Sequence, residues 1–265
     1  MGPIADSIRE FAESPEAYVS NPMLPEARIL TDRYCVYVAG SATQASVSRV
    51  RTTEEALDRT IDEVRAIVRA HRVKRVLWSL GPSSRPAGLS ARLAARGFVP
   101  GKPPFEPEAE AMVLVQPPPP SPANVEARLV RDLDEYTAAL RIAAEAFEMS
   151  VEEAQGWLSA APVLWERQDG VNRMTLIAFV EGRPAGFAFA GGAELGVFCG
   201  GSGVRPAERG HGCYRALVAA RWARAVELGT PALVIHAGAM SRPIAERAGF
   251  VSIGRIENLE DLQLA

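Results

Sequence analysis

Six consecutive residues carry the most specific chemical signal in the chain: Arg209-Gly210-His211-Gly212-Cys213-Tyr214. A short apolar run, Gly196 to Val204, leads into them, and a long amphipathic stretch, Tyr214 to Leu228, leads away. This order predicts a strand, a tight glycine-bearing turn and a helix. Such a turn aims several unpaired backbone N–H groups at one point, at the positive end of the helix dipole. That point is an anion site, and phosphate is its usual occupant.

The rest of the chain must position this turn. Gln116 to Ala123, QPPPPSPA, is the strongest boundary, because consecutive prolines neither donate to a sheet nor continue a helix. Domains are expected on either side, 1–116 and 124–265, joined by a linker at 117–123. In the first half, a short helix around Ile8 and Phe11 precedes strands at Tyr34 to Ala39 and Ser46 to Arg51, divided at Gly40-Ser41. Thr53 caps a long helix with Leu57, Ile61, Val64 and Val68 on one face, the helical period. A strand at Val76 to Leu80, a helix at Pro86 to Arg96 and a strand at Glu110 to Val115 complete this half. In the second half, a strand at Ala127 to Val130 precedes helices at Leu133 to Phe147 and Val151 to Leu158, divided at Ser150. Strands at Thr175 to Val180 and Pro184 to Ala190 flank the hairpin turn Glu181-Gly182-Arg183, and Gly191-Gly192 closes the second of them. Glu194 to Val204 is the strand that enters the glycine turn. A strand at Ala232 to Ala237, a helix at Arg242 to Arg247 and a strand at Phe250 to Ile256 end the chain.

The halves echo one another. Each has a long helix, an apolar strand, a loop with Ser-Arg-Pro (Ser84 to Pro86; Ser241 to Pro243), a helix and Gly-Phe-Val (Gly97 to Val99; Gly249 to Val251). The first half has no glycine turn before its long helix. It carries Glu54-Glu55 there, and carboxylates repel phosphate, so the anion site is expected in the second half alone.

Composition narrows the partners. The chain has 265 residues, 48% hydrophobic and 23% charged, the balance of a globular protein. A formal net charge of −3 gives no reason to expect nucleic acid or an anionic membrane. Lysine is confined to Lys74 and Lys102, while arginine is abundant and scattered. Cys35, Cys199 and Cys213 lie far apart without metal spacing, so neither a metal nor a disulfide is expected and a cytoplasmic setting fits. The N-terminal stretch has acidic residues and no apolar core, unlike a signal peptide. No stretch reaches the ~18 apolar residues of a membrane span.

The stretch from Val125 to Ile256 resembles the GNAT superfamily of acyl-CoA-dependent N-acyltransferases. That family's signature at a strand-to-helix turn is Q/R-x-x-G-x-G/A. Arg209 and Gly212 match it, whereas Tyr214 stands where the family has a small residue. Val204-Arg205-Pro206, Ala216-Leu217 and Glu246-Arg247-Ala248-Gly249-Phe250 are similar to the family as well. The resemblance implies an α/β (α+β) fold of two GNAT-like domains in tandem, each a mixed, mostly antiparallel sheet flanked by helices. The first domain would be a degenerate copy. It also implies acetyl-CoA as co-substrate, with the pyrophosphate on backbone amides from Gly210 to Tyr214 (Arg209, Gly210, His211, Gly212, Cys213 and Tyr214 forming the turn). The pantetheine arm would run along Ser202, Gly203 and Val204, beside a wedge left by the strand from Ala232, with Ser241 near the coenzyme.

The implied reaction is direct attack of a small-molecule amine on the thioester. Such a site deprotonates an ammonium, stabilises an oxyanion and protonates a thiolate. The family's usual acid, a tyrosine before Gly-Phe, is replaced by Ala245. Tyr214 is a candidate acid, or packs against the turn. Glu194 is a candidate base, or an exposed hairpin residue. His236 is a candidate base by its pKa, or a hydrogen-bonded core histidine. The acceptor mouth is expected from Phe147, Met149, Trp157 and Trp165, with Glu145, Glu148, Glu152 and Glu153 nearby. Ala245 leaves room for another acyl-CoA reaction on the same fold, such as hydrolysis or decarboxylation, and a non-catalytic acyl-CoA sensor is a reading of another class. Little chain is left after Ile256 for another strand, so completion of the sheet by the other half or by a second subunit, as a homodimer, is a further expectation.

Overall fold

A computed structural model of the chain describes residues 3–19, 28–38, 44–102 and 106–263. The expected break at Gly40-Ser41 lies outside these residues. The chain forms two compact units. The first comprises Met1–Val113, Ile235–Ala245 and Val251–Ala265, and the second comprises Leu114–Val234 and Glu246–Phe250. The last strand thus belongs to the first unit, whereas the sequence assigned everything after residue 123 to the second. Alternation of apolar residues reports that a strand has a buried face, not which neighbour buries it.

The first unit begins with α1 (Asp6–Glu13) and a 3-10 turn at Pro15–Tyr18. Three antiparallel strands follow, β1 (Arg28–Leu30), β2 (Cys35–Val38) and β3 (Gln44–Ser48). Helix α2 (Leu57–Ala70) then crosses over to β4 (Arg75–Leu80), which lies parallel to β3. The expected face of α2 is the buried one, with Leu57, Ile61, Val64 and Val68 at 2% exposure or less. It packs with Val36, Val47, Trp78 and Leu93. Helix α3 (Leu89–Ala94), β5 (Val99–Pro100) and β6 (Glu108–Leu114) follow. The sheet is closed by β12 (Val251–Asp261), inserted between β4 and β6 and antiparallel to both. Trp78 stacks edge-on against Phe98, centroids 5.5 Å apart.

The second unit repeats this path. Antiparallel β7 (Val125–Leu129) and β8 (Met174–Val180) enclose α4 (Leu133–Ala146) and α5 (Val151–Trp165) in sequence. Asp132 caps α4 and Ser150 closes a capping box with Glu153 on α5. Strands β9 (Arg183–Ala193) and β10 (Gly196–Val204) continue the antiparallel order, and α6 (Cys213–Glu227) crosses to β11 (Leu233–Ala237), parallel to β10. Helix α7 (Arg242–Arg247) precedes β12.

Helices cover both faces of this second sheet. The glycine Gly186 looks at Cys213 and Leu217 of α6, while the next residue, Phe187, packs with Ala139, Ile142 and Ala143 of α4. Successive strand residues point to opposite faces, so α6 and α4 lie on opposite sides.

Gly191-Gly192 does not end β9, which runs on to Ala193. The Gly192 N–H donates to the Val171 carbonyl, and a Cβ there would come within 2.5 Å of that oxygen. The glycine marks a close chain approach inside a strand, which local reading mistakes for a break. Helix α5 likewise continues past Leu158 to Trp165, through Pro162.

The two units differ where the parallel strands meet the crossover helix. In the first, β3 pairs with β4 from Gln44↔Arg75 to Val47↔Trp78, and a further bridge joins Arg51 to Arg85. The N–H groups of Arg51 and Thr52 donate to the carbonyls of Arg33 and Arg85. Arg49 and Arg51 both hold the Glu10 carboxylate, at 2.9 and 3.0 Å. The turn of the first unit is therefore filled from within, by backbone carbonyls and by a carboxylate of α1.

Glu10 yields a test of this internal closure. Burial raises its pKa, but the Arg49 hydrogen bond, the Arg51 charge and the Tyr18 hydroxyl outweigh that and leave it lowered. Burial and the same carboxylate push Tyr18 up to about 12. A carboxylate lowered on folding stabilises above its ordinary range and loses that contribution as pH falls through the folded value. Urea unfolding between about pH 5 and pH 3 should therefore show the wild type losing on the order of 1 kcal/mol more than Glu10→Gln. Parallel pH profiles would sink the assignment.

Candidate functional site

In the second unit the same junction is open. Pairing of β10 with β11 consists of Val197↔Leu233 and Phe198↔Val234. Beyond Phe198, among the described residues, β10 is paired on its β9 side alone, through Cys199↔Ala190, Ser202↔Ala188, Gly203↔Phe187 and Val204↔Gly186. The register shifts between Cys199 and Ser202, a bulge made by Gly200-Gly201. An open strand edge offers backbone donors and acceptors to an extended ligand, as another strand would.

That edge leads to the glycine turn. After a 3-10 turn at Pro206–Glu208, Gly210 and Gly212 adopt φ of 87° and 88°, and α6 begins at Cys213. A Cβ on Gly212 would lie 2.5 Å from Pro122 Cγ, so both backbone conformation and space require glycine there. The Ala216 N–H donates to the Gly212 carbonyl, the first bond of the helix. The N–H groups of Gly210, His211, Gly212, Tyr214 and Arg215 have no protein partner among the described residues. Together with the α6 dipole they form a concave donor set suited to a diphosphate. Arg209 and His211 are exposed beside it. The His211 ring is not idle: its Nδ1 donates to the Glu208 carbonyl at 3.1 Å and braces the turn.

The candidate catalytic residues fall in different places. Tyr214 is on the first turn of α6, where burial raises the pKa of its phenol and the nearby Arg221 charge acts in the opposite direction. It stays protonated at neutral pH, as a proton donor must. Glu194 occupies the two-residue turn between β9 and β10 and is exposed. The eight-residue rise of β10 puts it roughly 25 Å from the strand's turn end, and the structure does not bring it to the glycine turn. His236 falls in the first unit, where its Nε2 donates to the Ala12 carbonyl of α1 at 2.8 Å. Ser241 is also in the first unit, exposed, with its Oγ donating to the Gly238 carbonyl at 3.2 Å. Its backbone carbonyl accepts from Ile244 and Ala245, so it opens α7 without its side chain capping a helix N–H. Ala245 is fully buried.

Over the bulge, on the α4 face, aromatic rings gather. Phe147 meets Phe187 at 5.4 Å, Phe187 meets Phe189 at 5.1 Å, and Trp157 lies 6.2 Å from Phe189. A Cβ on Gly201 would meet Phe147 at 3.2 Å, so the ring packs directly over the bulge. Phe147 and Trp157 remain 45% and 37% exposed, which gives the wall an open side. Trp165 is elsewhere, against Tyr136 at 5.9 Å. Of the acidic residues, Glu145 is held by Arg205 at 3.1 Å and Glu153 by the α5 capping box. Glu148 and Glu152 are exposed.

One buried polar residue of α6 has no counterpart in the sequence reading. Arg221, 1% exposed, lies on the buried stripe of α6 between Leu217 and Ala225. An arginine at four-residue spacing from apolar residues on both sides is the sequence signal that reveals it. All three cysteines are free and buried. Among the described residues no group of His, Cys, Asp and Glu is placed to hold a metal ion, and no helix is long and apolar enough to cross a membrane.

No protein-family model matches the sequence, and no curated protein matches it. Solved structures do match. A GCN5-related N-acetyltransferase from Kribbella flavida is similar over 96% of this chain and 95% of its own, with TM-score 0.69 and 16% identity. Another from Sphaerobacter thermophilus matches 88% of this chain and 81% of its own at TM-score 0.59 and 21% identity. A tandem GNAT protein from the clavulanic acid biosynthesis pathway covers 86% of this chain and 78% of its own, with TM-score 0.59 and 17% identity. These likenesses extend along 86–96% of the chain. The chain has the fold of the GCN5-related N-acetyltransferases.

Proposed function

We propose that the second unit binds an acyl-coenzyme A and transfers its acyl group, acetyl in the simplest case, to the amine of a small molecule. The observation that carries this reading is the open edge of β10 running into a turn of unpartnered amides. Coenzyme A carries an extended amide-bearing arm attached to a diphosphate, and the strand edge and the turn match these in that order. Gly210 to Arg215 would hold the diphosphate, and Ser202, Gly203 and Val204 would pair with the arm.

The chemistry then needs little from side chains. The amine attacks the thioester carbonyl directly, with no protein nucleophile. The aromatic wall of Phe147, Phe189 and Trp157 gives the acceptor a face to lie on, next to the bulge. The protonated Tyr214 is the proton donor closest in sequence to the turn. Within this reading the chain is a tandem duplication. The first unit keeps the meander, crossover helix and parallel strand, and its ligand turn is closed by Glu10, Arg49 and Arg51.

A second reading, a binding module without turnover, is favoured by one observation: Ala245 stands where the resembling family carries its tyrosine acid. Thiol release from acetyl-CoA with a panel of small amines separates the alternatives. Amine-dependent release is the expected result. Release indifferent to amine would instead mark a hydrolase, and saturable binding without release a sensor. Absence of any coenzyme A binding would overturn the reading itself.

A further inference from the structure

The guanidinium of Arg221 is buried without a counter-charge. Its Nε and Nη2 are shielded from solvent and have no hydrogen-bond partner, and no carboxylate forms an ion pair with it among the described residues. Arginine does not deprotonate in a protein interior, and a buried charge left unpaired costs several kcal/mol. Three other arginines of the unit meet carboxylates: Arg128 meets Glu135, Arg205 meets Glu145 and Arg224 meets Glu227.

The position is as telling as the missing partner. Arg221 is two helical turns along α6 from Tyr214, on the same side of the helix. The Arg221 side chain hydrogen-bonds the Cys199 thiol, and its charge acts on both that thiol and the Tyr214 hydroxyl, while Nε and Nη2 keep no partner. Cys199 is the last residue of β10 before the Gly200-Gly201 bulge, and the first beyond the pairing with β11. The unpaired N–H groups therefore lie on the α6 face of the sheet, at the inner end of the open edge. The aromatic wall is on the opposite face.

Resting on the acyl-coenzyme A reading above, we propose that Arg221 receives the carboxylate of a dicarboxylic acyl donor, a thioester of the malonyl or succinyl type, at the inner end of the β10 edge. A carboxylate there supplies the missing counter-charge in a dry site, where bidentate Arg–carboxylate bonds are strongest. The carboxylate is a spectator in the transfer. The amine nitrogen forms the C–N bond, the C–S bond breaks, and one amine proton ends on the thiol. Arg221 would thus select the donor, without taking part in proton transfer.

The test is calorimetric titration of the full chain with coenzyme A, butyryl-CoA and succinyl-CoA. The two acyl groups have the same number of carbons and differ by the charge at the tip. Succinyl-CoA should bind at least about tenfold tighter than butyryl-CoA. In Arg221→Leu and Arg221→Met that preference should vanish, with coenzyme A affinity retained and the melting temperature unchanged or raised, because an unpaired buried charge has been removed. A wild type that binds coenzyme A yet treats the two acyl donors alike overturns the proposal and leaves the acyl-CoA reading standing. A wild type that binds no coenzyme A overturns both. Either wild-type outcome stands whether or not the variants fold.

Discussion

Replacing Gly212 by alanine should weaken coenzyme A binding by about 100-fold, and replacing Gly210 by about tenfold. Both residues have φ near 90° (88° and 87°), a region where a side chain costs roughly 1–2 kcal/mol. They differ in surroundings. A Cβ on Gly212 would meet Pro122 Cγ at 2.5 Å, whereas one on Gly210 has nothing within 4 Å. Gly212→Ala must therefore either push Pro122 away or rotate the peptide groups on both sides. The second response turns the N–H groups of the turn off their common focus, which is the property that makes it an anion site. Gly210→Ala is asked only to tolerate the strain. Each 1.4 kcal/mol is a factor of ten in affinity, which sets the two expectations apart. Titration calorimetry measures both, with thermal melting as the control, since α6 starts at the same place. Equal and undiminished affinity in the two variants would remove the turn from the ligand site.

The glycine turn was legible because it is local. Its conformation is written in two residues, and the helix after it in its own periodicity. The same holds for α2, whose buried face was countable from Leu57 to Val68. What escaped was set by contacts distant in sequence. Gly192 reads as a stop because glycine ends strands, yet it lies inside β9 against the Val171 carbonyl. Glu194 reads as the start of a strand, yet it is the turn before it, because Gly196 is the first residue to pair. His236 reads equally as a base or as a bound core residue. Its bond to Ala12, a helix-terminal carbonyl 224 residues earlier, is invisible to any local pattern. Arg221 was readable in principle, as a charge on an apolar stripe, but its lack of a partner is a statement about the whole interior of the unit.

The internal closure of the first unit explains why a duplicated path need not carry two sites. A parallel junction accepts a ligand when its outer strand is left unpaired and its turn exposes N–H groups. In the first unit the N–H groups of Arg51, Thr52 and Ala56 donate to Arg33, Arg85 and Thr53, so positions that would have served a ligand serve stability instead. Trp78, fully buried on β4, and Val47, its register partner on β3, occupy the counterpart of the open edge.

Removing β12 by ending the chain after Phe250 should abolish cooperative folding of the first unit. This strand is central to its sheet, between β4 and β6, and it buries Ile256 and Leu259. Its polar groups are committed as fully. Asn258 accepts from Ser79 at 2.9 Å and donates to the Glu106 carbonyl at 2.9 Å. Glu260 pairs with Arg75, and Asp261, its side chain 1% exposed, takes both arms of Arg65 at 2.8 and 3.0 Å. Loss of a central strand exposes two ladders and the apolar face beneath them, more than the 5–15 kcal/mol that typically separates a folded domain from its unfolded chain. A graded version isolates one interaction. Asp261→Asn leaves the Arg65 charge, on a side chain 13% exposed, without its counter-ion, and should cost about 3 kcal/mol. Urea unfolding followed by Trp78 fluorescence reports on this core, with Trp157, Trp165 and Trp222 replaced by phenylalanine to isolate the signal. A truncated chain that still unfolds in one cooperative transition at the wild-type midpoint would show that β12 is an appendage, and that the first unit ends, as its sequence suggests, at the proline-rich segment.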